Sequence, residues 1–157
     1  MNDLSEILAP SHVLLDVDTA TREDAFRAVA TVAEAQGVTD SADALFEGLC
    51  QREREVTTGL MDGFAIPHTK TDAANRAAMF FVRSAAPLAW ETMDGSPVTN
   101  MFFLIAPASD QNNTHLAMLS ALASSLLEDD FKEAVAKVAT PEELVTLVTE
   151  QIKKESE

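Results

Sequence analysis

Apolar residues recur along this chain in two rhythms, and the change of rhythm marks the elements. Phe26, Val29 and Ala33 stand at i, i+3 and i+7, which predicts a helix over 22–36. Thr21 can cap it, Asp24 holds the reciprocal capping position, and Gly37 ends it. A second helix is expected from near Ser41 to about Arg54, with Leu45, Leu49 and Arg52 at i, i+4 and i+7. Elsewhere the apolar runs are short and nearly continuous. His12 to Val17 reads as a first strand, after a helical turn over residues 4–8 that stops at Pro10. Phe64 to Pro67 reads as a strand ended by proline, which places His68 one residue outside it. Ala78 to Val82 and Asn100 to Ile105 fit central strands covered on both faces. The stretch from Pro87 to Pro97 is too short for a helical crossover. An antiparallel meander is expected there, with a small strand near Leu88-Ala89-Trp90 and a turn at Asp94-Gly95.

The helical rhythm returns after the polar loop at residues 108–114. His115, Leu119, Leu122 and Leu126 lie at i, i+4, i+7 and i+11, so His115 heads the stripe of a helix over 115–127 capped by Asn113 or Thr114. Asp130 with Glu133 is expected to cap the next helix, whose apolar positions are Phe131, Ala134, Val135 and Val138. Thr140-Pro141-Glu142-Glu143 is a strong helix start, with Leu144, Val145, Leu147 and Val148 on the inner side. The order of elements predicts one layered α/β domain over residues 1–152, with residues 153–157 as a frayed tail. Its core is a mixed sheet of about five strands flanked by helices on both faces.

Composition narrows the partners. The 157 residues are 46% hydrophobic, enough for a buried core and against disorder. Eleven basic against 26 acidic residues give a formal charge of −15, which opposes binding to nucleic acid or to an anionic membrane but suits a basic protein partner. The single Cys50 excludes an internal disulfide and fits a reducing cytoplasm. No apolar run approaches the about 20 residues of a membrane span, and the acidic start lacks the charge pattern of a signal peptide. A soluble cytoplasmic domain is expected.

Candidate chemistry centres on two histidines. A histidine fixed behind a strand by Pro67 can be a nucleophile, a proton shuttle or a metal ligand, although a lone histidine in such a place is more often structural or surface-exposed. His115 opens a helix, where free N–H groups and a partial positive charge attract anions and disfavour a protonated imidazole. Arg52 extends a buried stripe at a helix's C-terminal end. It is either a cation complementing the helix dipole or a guanidinium clamping an oxyanion at the rim of the core. Together these parts would suit phosphoryl transfer without a metal. Two metal ligands are the weaker alternative, since no Cys pair or short His spacing supports them. His12 is expected at a strand edge, Met79, Met101 and Met118 as core fillers, and Cys50 as inert. No P-loop, dinucleotide glycine fingerprint or nucleophile elbow is present, and no cofactor is implied.

The motifs also carry a resemblance. Arg52-Glu53-Arg54, Thr58-Gly59-Leu60 and Phe64-Ala65-Ile66-Pro67-His68 resemble the signature of the IIA domains of the bacterial sugar phosphotransferase system, in the fructose–mannitol branch that includes the nitrogen-related regulatory IIA. His115 to Ser120 resembles that family's second histidine segment, and Thr140 to Leu144 its ending. The resemblance implies that His68 accepts a phosphoryl group from phospho-HPr and passes it to a IIB domain, on a cysteine in this branch, and only indirectly to IIC. It implies that His115 and Arg52 stabilise the phosphoryl group. Met61 and Thr69 depart from the small residues usual there, which bears on partner fit and loop shape. No IIB or IIC segment is attached, so the chain would be a free-standing IIA or an excised domain. The regulatory branch uses the same histidine to gate binding to other proteins, which leaves that alternative open.

Overall fold

Alternate residues of the two long apolar runs go to opposite faces of a sheet, and both faces are buried. Met79, Phe81, Phe102 and Leu104 enter one core, while Phe80, Val82, Met101, Phe103 and Ile105 enter the other. Only a strand sandwiched between two layers puts every residue to such use. The computed structural model describes residues 7–110 and 113–155. Among these are five strands: β1 (Val13–Val17), β2 (Phe64–Ala65), β3 (His68–Lys70), β4 (Ala78–Leu88) and β5 (Val98–Ala106). The helices are α1 (Arg22–Ala35), α2 (Ala42–Glu55), α3 (Thr114–Ser125), α4 (Asp129–Lys137) and α5 (Pro141–Glu155).

The sheet runs β1-β4-β5-β2, with β3 also paired to β5. Only β4 and β5 are antiparallel; β1 runs parallel to β4, and β2 and β3 run parallel to β5. Buried residues of α1 and α2 fill the core on one face, and those of α3, α4 and α5 fill the other. This is the mixed, two-faced α/β layer that the order of elements predicts. Phe80, Phe81, Phe102 and Phe103 are fully enclosed, and each such side chain contributes about 1.5–3 kcal/mol through burial.

Local signals set the helix ends. Thr21 Oγ1 accepts from the Asp24 N–H at 3.1 Å, and Asp24 Oδ2 accepts from the Thr21 N–H at 3.2 Å, so the reciprocal cap forms. Gly37 then leaves α1 with φ +77°, a conformation other residues reach at a cost. Ser41 caps α2 through the Ala44 N–H.

Several expectations need correction. His12 lies in a 3₁₀ turn (Pro10–His12), not at a strand edge. It is buried, its Nδ1 faces the carbonyls of Ile7 and Met79 at 3.0 Å each, and its ring stacks on Phe80. Leu88 ends β4 opposite Val98, past an irregularity in register, and no separate strand forms at residues 88–90. The buried line of α3 is Thr114, Met118, Leu122 and Ser125, continued by its cap Leu126; of the predicted stripe Leu122 and Leu126 are buried, while His115 and Leu119 are half-buried at its edge. The cap of α4 is Glu128 rather than Asp130, without a side-chain hydrogen bond. Lys153 to Glu155, expected to fray, continue α5. The turn expected at residues 4–8 falls largely outside the described residues.

Candidate active site

The site begins with an interrupted strand. Ala65 pairs with Met101, the ladder lapses over Ile66 and Pro67, and His68 then pairs with Leu104 in the same register. Pro67 has no N–H, but its carbonyl still accepts from the Leu104 N–H at 3.0 Å, so pairing resumes. His68 therefore opens a new strand, β3, where a position just outside the sheet was expected. The N–H of Ile66 turns instead to the carbonyl of Thr58, 3.1 Å away.

This break aims the imidazole. His68 Nδ1 lies 2.7 Å from the Ile66 carbonyl, which can only accept, so Nδ1 carries the hydrogen. His68 Nε2 lies 3.1 Å from Nη2 of Arg52, which can only donate, so Nε2 presents its lone pair. Both ring nitrogens thus have assigned roles, and the nucleophilic one points at a guanidinium. Burial, joined by the Arg52 charge, holds the His68 pKa below its ordinary value of 6.5, against the Ile66 hydrogen bond and the Glu53 charge, which push it up. The ring is neutral at pH 7.

Arg52 reaches this point because α2 carries it at its last turn, half-buried and in line with Leu45 and Leu49. Its other terminal nitrogen, Nη1, donates to the Val56 carbonyl at 2.8 Å, which fixes the fork. The guanidinium thus stands at the helix end and lines the same cleft as His68. His115, in the first turn of α3, is the third member. Its ring centre lies 5.5 Å from that of His68, at an interplanar angle of 53°. Its backbone N–H donates to Asp110 Oδ2 at 2.9 Å, so Asn113 holds the cap position as expected while a loop carboxylate supplies the side-chain hydrogen bond. Its Nε2 is buried and has no hydrogen-bond partner among the described residues. Burial first, then His68, Lys70 and Arg52, push its pKa down to about 4, with the Asp110 charge opposing. The neutral state expected from the helix field thus arises chiefly from desolvation.

The three side chains line one cleft of about 500 Å³, together with Gln51, Glu55, Thr69, Lys70 and Thr71. A groove of about 550 Å³ between α4 and α5 is lined by apolar and charged side chains, including Val138, Leu147 and Glu143, and contains no histidine. Among the described residues no group of three or more His, Cys, Asp or Glu could hold a metal ion. The chemistry available is therefore a neutral nitrogen nucleophile facing fixed donors, an arrangement suited to receiving an anion. Cys50 is buried on α2, and burial raises its pKa, which makes it a poor nucleophile.

Two participants were not read from the sequence. Lys70 adds a second cation to the cleft, since β3 continues past His68 and brings it there. Glu53 is buried beneath the site and holds the segment before β2. Its signal was present, because it lies at i+4 from Leu49 and i+8 from Leu45, on the same inward stripe as Arg52.

Comparison with known proteins follows this geometry. The model of the family described as "Phosphoenolpyruvate-dependent sugar phosphotransferase system, EIIA 2" matches residues 6–151. The fructose-specific EIIA component of the phosphotransferase system of Haloferax volcanii is 32% identical over 152 residues, covering 97% of this chain and 98% of that one. The crystal structure of the nitrogen regulatory protein IIA-Ntr from Neisseria meningitidis superposes with a TM-score of 0.85 at 30% identity, covering 92% of this chain and 98% of that one. A complex of the mannitol enzyme IIA with phosphorylated enzyme IIB from Escherichia coli contains a chain that superposes with a TM-score of 0.74. At 17% identity, over 90% of this chain and 96% of that one, it speaks for the fold alone.

Proposed function

The chain belongs to the EIIA 2 family of the phosphoenolpyruvate-dependent sugar phosphotransferase system, and from that premise we propose that it is a cytoplasmic phosphocarrier with His68 as the phosphoryl acceptor. One observation carries the reading: the Nδ1–H of His68 is tied to the Ile66 carbonyl while Nε2 presents a lone pair beside Arg52. The Nε2 lone pair attacks the phosphorus of a phosphohistidine on an HPr-type donor, and the donor's P–N bond breaks. No proton has to leave the ring first. The imidazolium formed keeps its Nδ1–H on the Ile66 carbonyl, which stabilises the new positive charge. Arg52, released from Nε2 by the arriving group, binds its oxygens, as does His115 through Nε2–H; Lys70 makes the potential of the cleft more positive, which favours the anion. Transfer onward breaks the Nε2–P bond as a cysteine thiolate of a IIB domain attacks.

The test is phosphorylation by phosphoenolpyruvate, enzyme I and HPr, followed by measurement of acid-labile, base-stable phosphate. His68→Ala is expected to abolish labelling and leave the circular dichroism spectrum unchanged, because the half-buried ring contributes little packing. Undiminished labelling would overturn the assignment.

A second reading is favoured by the likeness to the Neisseria nitrogen regulatory protein. Here the same phosphohistidine gates binding to other proteins, and transfer to IIB is slow or missing. Rapid passage of label from the phosphorylated chain to a IIB domain selects the transport role.

A further inference from the structure

We propose that Glu53 is a positioning residue that fixes the tautomer of His68 from beneath the site, an inference that rests on the reading of His68 as the phosphoryl acceptor. Glu53 is only 5% exposed, and its carboxylate holds both polar groups of Thr58 that can donate. Oε1 accepts from Thr58 Oγ1 at 2.6 Å, and Oε2 accepts from the Thr58 N–H at 2.8 Å and from Trp90 Nε1 at 3.0 Å. Thr58 so held presents its own carbonyl to the Ile66 N–H at 3.1 Å. Ile66 in turn presents its carbonyl to Nδ1–H of His68 at 2.7 Å.

The relay matters because of the proline. The peptide between Ile66 and Pro67 has no hydrogen, so nothing in the ladder of β5 can hold that carbonyl from its nitrogen side. Its direction is set instead through the Ile66 N–H, and that bond ends on Thr58. The last turn of α2 thereby grips His68 at both nitrogens: Arg52 touches Nε2 directly, and Glu53 reaches Nδ1 through Thr58 and Ile66. Without Glu53, Thr58 is free to rotate, the Ile66 carbonyl loses its aim, and the ring can place its hydrogen on Nε2. That form has no lone pair where the phosphorus must arrive.

The experiment reads the ring itself. Histidine-labelled, unphosphorylated protein is examined by nitrogen-15 NMR at pH 8, with His68→Ala used to assign the signals. Wild type is expected to show the Nδ1–H tautomer alone. Glu53→Asp keeps the charge but is one methylene short of gripping both Thr58 and Trp90. It should show mixed tautomers and phosphorylation slowed about tenfold or more. Glu53→Gln, with its amide oxygen in the place of Oε2 and the Thr58 hydroxyl reversed to accept, should restore a single tautomer and a near-normal rate. Thr58→Ala removes the hydroxyl gripped by Oε1 and gives an independent reading in the same direction should the aspartate variant fail to fold. An unmixed tautomer in the aspartate and alanine variants overturns the proposal, as does a glutamine variant no better than aspartate. If wild type takes no phosphate while the tautomers behave as described, the phosphocarrier reading falls and the positioning role stands.

Discussion

Two neutral imidazoles and a guanidinium share one cleft, and their protonation states follow from where the chain puts them. His68 and His115 are both shifted below the ordinary histidine value, first by burial and then by their neighbours, Arg52 beside His68, and His68, Lys70 and Arg52 beside His115. Below its pKa, His68 carries a proton on Nε2 and has no lone pair to attack with. The phosphorylation rate is therefore expected to be flat from pH 8 to pH 7 and to fall only as pH drops below about 6.5. An inflection above pH 7 in the initial rate would contradict this. Stability has the same sign. The unfolded histidine takes up its proton near pH 6.5, whereas folded His115 does so at about 4, so the folded form binds fewer protons between those values. Stabilisation is complete above about pH 6.5 and is lost as pH falls toward 4. Thermal midpoints of wild type should decline through that window more steeply than those of His115→Asn.

At the scale of elements, α2 is the lever that brings Arg52 to Nε2 of His68. If Arg52 served only the helix end, Arg52→Lys would be nearly silent, since a dipole partner is worth about 0.3–1 kcal/mol and lysine supplies the charge. The fork observed between Nε2 and the Val56 carbonyl requires two nitrogens in a plane. Arg52→Lys is thus expected to slow phosphorylation and shorten the phosphohistidine lifetime, and Arg52→Ala to do so further, with thermal midpoints little changed. Loss of stability with normal transfer would reduce the residue to a helix cation. The helices α1 and α2 and the strands β4 and β5 were legible because caps, Gly37 and runs of apolar residues are local signals. Only the first half of the α3 stripe was misplaced, because its sequence is apolar on several sides; Leu116 is 63% exposed, and Leu127, just past the helix, 70%. The gap between β2 and β3 was illegible for another reason: a proline removes one donor, but whether the ladder resumes depends on β5. His68, His115 and Arg52 could be named from motif and position. The grip of Glu53 on Trp90 joins distant parts of the chain, and no local pattern announces it.

For the whole molecule the governing quantity is charge. A formal −15 spread over 157 residues surrounds a cleft lined by Arg52 and Lys70 against the single carboxylate of Glu55, so an acidic body carries a small, net cationic spot. The spot suits an anion, while the body suits a partner with a basic face. Attraction between such bodies acts on encounter, and salt weakens it once the Debye length falls below their separation, about 10 Å at 0.1 M. The chemical step, at the half-buried His68 and Arg52, is screened less. Raising sodium chloride from about 20 mM to about 500 mM should therefore lower kcat/KM for phosphorylation by HPr roughly tenfold, with kcat almost constant. Steady-state kinetics over varied HPr concentration separate the two. If kcat falls while kcat/KM holds, salt is acting on the cleft itself; if neither moves, recognition is carried by apolar contact, and the acidic surface serves something other than this partner.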